Sequence, residues 1–345
     1  MPMPSTPTTA DWRALIRTNQ NSTYIVIASF ILIYLSLGLL VDVYLCSNTY
    51  PQTTLSQLFF ALITFTLMPV ATLVTLAIAL ISLWVTFTFH DNLMLLGTEY
   101  REITPDSAQT LQETQLYNVI EEMKIAAGLA YMPKVYLIEA EYMNAFASGY
   151  SEKSAMVAIT RGLMEKLDRS ELQAVMAHEL SHIRHMDIKL ILMASVLSNL
   201  SLMFIDILFN NAFRSRRGGR DRNGLLIIIM ILRWVLPLIT VLLMLYLSRT
   251  REYMADAGCV ELTRENEPLG RALLKISGDY QQHAEQYSAL SQQTSHESIR
   301  RQAYIFDPVQ AGIAASSAMA DMFSTHPSVE KRLEALKCNF SQHKV

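Results

Sequence analysis

Charge is scarce in this sequence. Asp, Glu, Lys and Arg make up 17% of its 345 residues, against about 25% in an ordinary soluble chain. Apolar residues reach 51% and fall in blocks, the pattern of a membrane protein with a water-soluble part. The net charge of −3 offers no basic surface and argues against a nucleic-acid partner. Cysteine is nearly absent. Cys46, Cys259 and Cys338 lie far apart and form neither a C-x-x-C nor a disulfide framework, so a reducing compartment is compatible. No internal repeat is present. Between Met164 and Arg217 there is neither Gly nor Pro, so nothing in that stretch signals a helix stop.

Within the stretch lies His178-Glu179-Leu180-Ser181-His182, an H-E-x-x-H. On a helix, positions i and i+4 share a face. Two imidazoles at that spacing can bind one tetrahedral Zn²⁺, leaving room for a third ligand and a water. Glu179 lies next to that face and can take a proton from the water, the arrangement of a zinc peptidase. The plainer alternative is a pair of solvated histidines on a charged helix face.

Along the chain, a polar leader with Arg13 and Arg17 precedes an apolar run from Tyr24 to Val41, closed by Asp42. That run is long enough to begin a membrane span; read as a signal peptide, it lacks a convincing cleavage site. The block Leu55 to Phe89 exceeds the ~30 Å hydrocarbon core as a helix, so it must tilt, kink at Pro69 or emerge as a stalk. Pro105 to Ala130 reads as an amphipathic helix with Leu111, Leu116, Ile120, Met123 and Ala127 on one stripe. Lys134–Glu139, Met143–Ser148 and Ala155–Thr160 read as strands, and Arg161–Leu167 as a helical turn or two. Ser170 and Gln173 form a capping box that starts the H-E-x-x-H helix. With no stop signal, that helix is expected to run on through the apolar block Ile188–Phe213. A basic loop, Phe213–Gly224, leads to a last apolar block, Leu225–Leu247, containing Pro237. Asp206 and Arg233 stand at similar depth in this hairpin and are expected to pair across it, the alternative being that each snorkels to a headgroup. Helices are expected over Arg249–Leu262 and Leu269–Gln281 and from Ser328, with a loop over Gln282–Gln302.

A His/His site needs a third protein ligand. Glu252 and Asp256 follow the last apolar block at i, i+4. Glu252 is placed to complete the metal shell, and Asp256 to accept a hydrogen bond from a ligating imidazole. A solvated acidic pair beside Arg249 and Arg251 is the alternative. If both halves build one site, the hydrophobic hairpin between them returns to the same side of the bilayer, or dips without crossing. The positive-inside rule then puts Arg13, Arg17 and both halves in the cytoplasm.

With these residues in place, the chain resembles the HtpX-type family of bacterial membrane-bound zinc metallopeptidases. Two more stretches carry the resemblance: Asn144-Ala145-Phe146-Ala147-Ser148-Gly149, and Ser324-Thr325-His326-Pro327 followed by Glu330-Lys331-Arg332-Leu333. Residues 282–314 match nothing used here, and the leader is longer than expected. The resemblance implies a mainly α fold with a small antiparallel β-sheet, an integral membrane zincin whose catalytic domain is split by a hydrophobic helical hairpin. The domains expected are 1–90 (leader and two transmembrane helices), 91–187 (first catalytic half), 188–247 (second hairpin) and 248–345 (second catalytic half). It implies one Zn²⁺ per chain on His178, His182 and Glu252, with Glu179 as acid/base and Asp256 behind the ligands. It further implies that His326 stabilises the oxyanion, and that Asn144, Ala145, Phe146, Ala147 and Ser148 bind substrate as an edge strand. The expected activity is zinc-dependent endoproteolysis of misfolded or damaged membrane proteins, a quality-control and stress-response role in the bacterial inner membrane. Unfolded or membrane protein substrates and the lipid bilayer are the expected partners. His185, about 300° round the helix from His182, is expected to face solvent or headgroups.

A carboxylate-bridged di-iron bundle is excluded, because it needs two E-x-x-H motifs and no other Glu here has a His three residues on. A catalytically silent scaffold with structural zinc would ordinarily have four protein ligands; three are evident. A membrane chaperone or adaptor on a peptidase-like fold would not need Glu179.

Overall fold

The computed structural model describes residues 9–95, 99–149, 151–214, 220–284, 286–287, 304–306 and 326–338. The basic loop and most of Gln282–Gln302 lie outside the described residues. The chain forms two compact units. One holds Thr23–Thr88 and Ile191–Tyr246; the other holds Phe89–Leu190 and the chain from Leu247 onward.

The first unit is apolar and helical. It draws on α1 (Thr9–Thr49), α2 (Leu55–Ile63), α3 (Val70–Leu95), α7 (Asp187–Arg214) and α8 (Arg220–Thr263). Two helical stretches, Ala28–Thr49 and Gly224–Thr263, are long and apolar enough to cross a membrane; Val70–Ser82 and Val196–Asn210 are shorter apolar helices. Pro69 marks a break between α2 and α3, one of the options expected for an over-long block. Asp42 does not close α1, which runs seven residues further, to Thr49. It is buried, and its carboxylate accepts from the Ala71 and Thr72 amides at 2.7 and 2.8 Å and from the Thr72 hydroxyl at 2.7 Å. Those amides belong to the first turn of α3, where no helical carbonyl is available to them, so one carboxylate answers the break that Pro69 creates. Asp206 and Arg233 pair at 3.0 Å, with the guanidinium also 4.1 Å from the Phe209 ring centre.

The second unit is built on a four-stranded sheet: β1 (Tyr100–Ile103), β2 (Lys134–Ile138), β3 (Ala145–Ser148) and β4 (Met156–Thr160), in the order β1-β2-β4-β3. The sheet is mixed, not antiparallel. β3 turns back antiparallel on β4, with Ala145 opposite Ile159, but it lands outside β4. That leaves β4 parallel to β2, with Lys134 opposite Met156. Strand β1, which sequence reading missed, pairs antiparallel with β2.

Three helices of this unit, α4 (Leu111–Ala127), α6 (Arg169–Arg184) and α9 (Glu267–Gln282), join the sheet in one core, with α5 (Arg161–Lys166) and α10 (Val329–Ala335). On α4, Leu116, Ile120, Met123 and Ala127 are buried as expected, but Leu111 is 90% exposed. Five residues separate it from Leu116, about 140° round the helix, which takes it off the stripe. The cap of α6 is also not the expected one. Asp168 accepts from the Glu171 amide and Glu171 from the Asp168 amide, while the Ser170 hydroxyl bonds the side chains of Asp168 and Arg271 and caps no amide. Glu171 is buried and met by Lys275 at 2.6 Å, so the Asp168 box leaves no buried charge unpaired.

Helix α6 does stop. It ends at Arg184, capped by His185, and Met186 takes φ +56° before α7 begins at Asp187. The expectation of one continuous helix fails because a non-glycine residue makes the left-handed turn. His185 is accordingly half-buried rather than facing solvent, and burial followed by the Arg251 charge pushes its imidazolium down to about 4.

Candidate active site

The site lies on the buried face of α6, where His178 and Glu179 are almost wholly enclosed. Helix α8 supplies the opposite wall with Glu252 and Asp256. Gly258 sets how near the two helices come: a methyl group there would fall inside the Ser181 side chain. The sequence places four side chains at two i, i+4 pairs, and this close approach brings the pairs together.

His178 Nε2 and His182 Nε2 are 3.2 Å apart. Glu252 oxygens lie 3.7 Å from the first and 3.6 Å from the second. Ligands about 2.0–2.1 Å from a tetrahedral divalent ion sit about 3.3 Å from one another, so the three residues fit a metal. They are also the cluster of His, Cys and carboxylate groups close enough for one among the described residues, with ligand atoms within 4.8 Å of each other.

Each imidazole is held from behind. His178 Nδ1 lies 3.0 Å from Asp256 Oδ1. His182 Nδ1 lies 2.7 Å from Asp187 Oδ2. With Nδ1–H directed to a carboxylate, each Nε2 keeps its lone pair for the common centre. Each carboxylate in turn meets a buried guanidinium. Arg332 donates through Nε and Nη2 to Asp256 at 2.9 and 2.6 Å, and Arg251 pairs with Asp187. The result is two relays, His178–Asp256–Arg332 and His182–Asp187–Arg251. Asp187, Arg251 and Arg332 were not picked out from the sequence. Asp187 sits beyond the helix break, Arg251 read as a flanking charge, and Arg332 stood in a motif with no role given to it.

The electrostatics suit a neutral His182 imidazole and a charged third ligand. Burial, and then His178 beside it, push the His182 imidazolium down to about 3. Burial opposes the Glu252 charge, but His326 and Arg332 outweigh it and hold the carboxyl below the usual range. Burial, and then the Glu252 charge, hold the Glu179 carboxyl well above the usual range, against a weaker pull from the Ala147 amide and Arg332. Neither Glu179 oxygen has a partner at ordinary hydrogen-bond geometry among the described residues. Such a carboxyl is poised to exchange a proton.

His326 joins the cluster, with Nδ1 3.2 Å from Glu252 Oε1. Asn144 does not. Its side-chain nitrogen donates to the Tyr280 hydroxyl at 3.2 Å and the Phe306 carbonyl at 3.1 Å, and its oxygen accepts from the Ala145 amide. Ala145, Phe146, Ala147 and Ser148 form β3, all four buried.

Comparison with known proteins places the chain among its relatives. The model of peptidase family M48 matches residues 110–339. "Protease HtpX homolog" of Helicobacter pylori (strain Shi470) is 38% identical over 328 residues, 94% of this chain and 98% of that one. The protein of the same name from Dictyoglomus thermophilum is 39% identical over 225 residues, 64% of this chain and 68% of that one. Among solved structures, Saccharomyces mikatae Ste24p is similar over 94% of this chain and 66% of that one, at 17% identity and a TM-score of 0.49. The match to the family model and the near full-length relatives together place the chain in peptidase family M48.

Proposed function

We propose that the chain is a membrane-embedded zinc-dependent endopeptidase acting on misfolded or damaged membrane proteins at the cytoplasmic face of a bacterial inner membrane. The observation that carries this reading is Glu179, a buried carboxyl without a hydrogen-bond partner among the described residues, beside three residues spaced for one metal ion. The name shared by the bacterial relatives, Protease HtpX homolog, supports the hydrolytic reading. Zinc suits the His/His/Glu donor set, and when bound it would lower the pKa of a coordinated water and polarise a scissile carbonyl.

The protein's own groups do the rest. Glu179 takes the proton from the attacking water and delivers one to the leaving amine; its raised proton affinity suits both transfers. His326, beside Glu252, donates to the developing oxyanion. Strand β3 binds substrate backbone as an added strand, which makes selectivity loose. Arg13 and Arg17 ahead of α1's apolar stretch favour a cytoplasmic N-terminus.

Wild type and Glu179→Gln, purified in detergent, test the reading through metal content and cleavage of an unfolded protein. The expected result is about one zinc per chain in both and cleavage only in wild type. Zinc in both with cleavage in neither, while unfolded clients still bind, would make the protein a scaffold.

A further inference from the structure

The outer edge of β3 is already occupied. Residues 304–306 lie antiparallel to it: Tyr304 bridges Phe146, and the Ile305 amide donates to the Ala145 carbonyl at 2.9 Å. The other edge of β3 is paired with β4 along its length. The segment is bridged to β3 at Tyr304 and bends inward at Ile305 and Phe306, which both enter the main core. Tyr304 joins Phe146 and Met156 on one face, while Ile305 enters the main core. Phe306 stacks on Tyr280, with ring centres 5.1 Å apart. Two polar side chains hold the segment's backbone: Arg332 Nη1 donates to the Ile305 carbonyl at 2.8 Å, and Asn144 donates to the Phe306 carbonyl.

A peptide that binds by strand addition needs a free edge: open carbonyl acceptors, open amide donors and sites for alternate side chains. The only edge of β3 not used by β4 has its Ala145 carbonyl taken by Ile305. The same strand packs directly on α6, the helix that carries Glu179. Resting on the peptidase reading above, we propose that Tyr304-Ile305-Phe306 occupies the position of the substrate strand as an internal pseudosubstrate. The class of substrate follows from the occupant. It is an extended apolar segment with an aromatic–aliphatic–aromatic pattern, of the kind an unfolded membrane protein exposes. The resting enzyme is therefore self-blocked, and substrate enters by displacing residues 304–306. Arg332 links occupant and metal cluster, because the guanidinium that holds Ile305 also grips Asp256 behind His178.

A disulfide lock tests this. Residues directly opposite across antiparallel strands have Cα atoms about 4.5–5.5 Å apart, within the range a disulfide spans. Full-length Phe146→Cys/Tyr304→Cys, metal-loaded in detergent, is assayed on reduced, carboxymethylated lactalbumin before and after oxidation, beside equally treated wild type. Because Phe146 lies in the substrate strand, the reading is the ratio within the variant. The cleavage its reduced form shows is expected to be lost on oxidation and recovered on reduction, at unchanged metal content. A reduced pair that does not cleave passes the decision to the hydrogen-exchange test below. Equal cleavage by locked and reduced forms overturns the proposal and makes residues 304–306 a permanent fifth strand, leaving the peptidase reading intact. Metal-loaded wild type that cleaves nothing removes the peptidase reading, and this proposal with it. Should the cysteine pair not fold, hydrogen exchange on Glu179→Gln saturated with the same unfolded protein decides. Residues 304–306 are expected to lose protection while Ala145–Ser148 keep theirs; protection retained by both overturns the proposal.

Discussion

His182 reaches across the break between α6 and α7: its Nδ1 lies 2.7 Å from the carboxylate of Asp187, five residues on. That contact fixes the tautomer of an imidazole in the cluster spaced for a metal. In Asp187→Asn the ring loses its charged partner and Arg251 loses its counterion. Metal affinity is expected to fall about 10–100-fold, read by competition with a chelator at equilibrium. Unchanged affinity would mean that Asp187 serves the fold alone.

Gly258 and Ser181 meet where α8 approaches α6. Gly258→Ala is expected to destabilise the protein by about 1–3 kcal/mol through overpacking and to lower metal occupancy with it. Ser181→Gly removes the obstructing side chain at a helix cost of about 1 kcal/mol. The double variant should therefore be more stable than the sum of the single changes predicts. Additive single effects, measured by denaturant unfolding in detergent, would show that the two positions do not clash.

Asp42 accepts two backbone amides of α3 inside the apolar unit. Asp42→Ala leaves both without that acceptor. A loss of about 1 kcal/mol is expected for removing the acceptor of two half-buried amides, seen as a lower melting temperature. Asp42→Asn keeps an acceptor and should lie between the two.

Glu113 supplies a pH dependence. Burial opposes its charge, but the hydrogen bonds from Arg101 and the Gln109 amide win and hold its carboxyl below the usual range. The sign follows from linkage: a depressed folded pKa contributes stability above the unfolded value of about 4.3, lost as pH falls through the folded value. Wild type should thus exceed Glu113→Gln in stability at neutral pH, with the gap closing on acidification below about pH 4. A gap that widens on acidification would contradict the pairing with Arg101.

The clustering of His178, His182 and Glu252 was legible in the sequence because its pairs are local. His178 and His182 share a turn, as do Glu252 and Asp256, and a helix turns such spacing directly into geometry. What joins the pairs was not legible. Asp187 depends on a left-handed Met186, a residue type that gives no turn signal. Arg332 meets Asp256 across a long sequence separation, and a single arginine carries no period. The capping boxes at Asp168 and Ser170 overlap in sequence, and the choice between them rests on Lys275, far along the chain. Strand order suffered similarly: short alternating runs indicate strands but not which neighbour each takes, so the parallel β2–β4 pair was missed.

The two relays also fix the electroneutrality of the buried centre. With the imidazoles neutral, Asp256 is balanced by Arg332 and Asp187 by Arg251, so neither relay carries net charge. Glu252 only shares Arg332 with Asp256, at 3.5 Å, and Glu179, once it gives up its proton, has no guanidinium ion pair among the described residues. Two negative charges with no dedicated counter-charge are what a divalent cation neutralises and a monovalent one does not. The valence the site favours is therefore written into its arginines, two of them where full internal balance would need four.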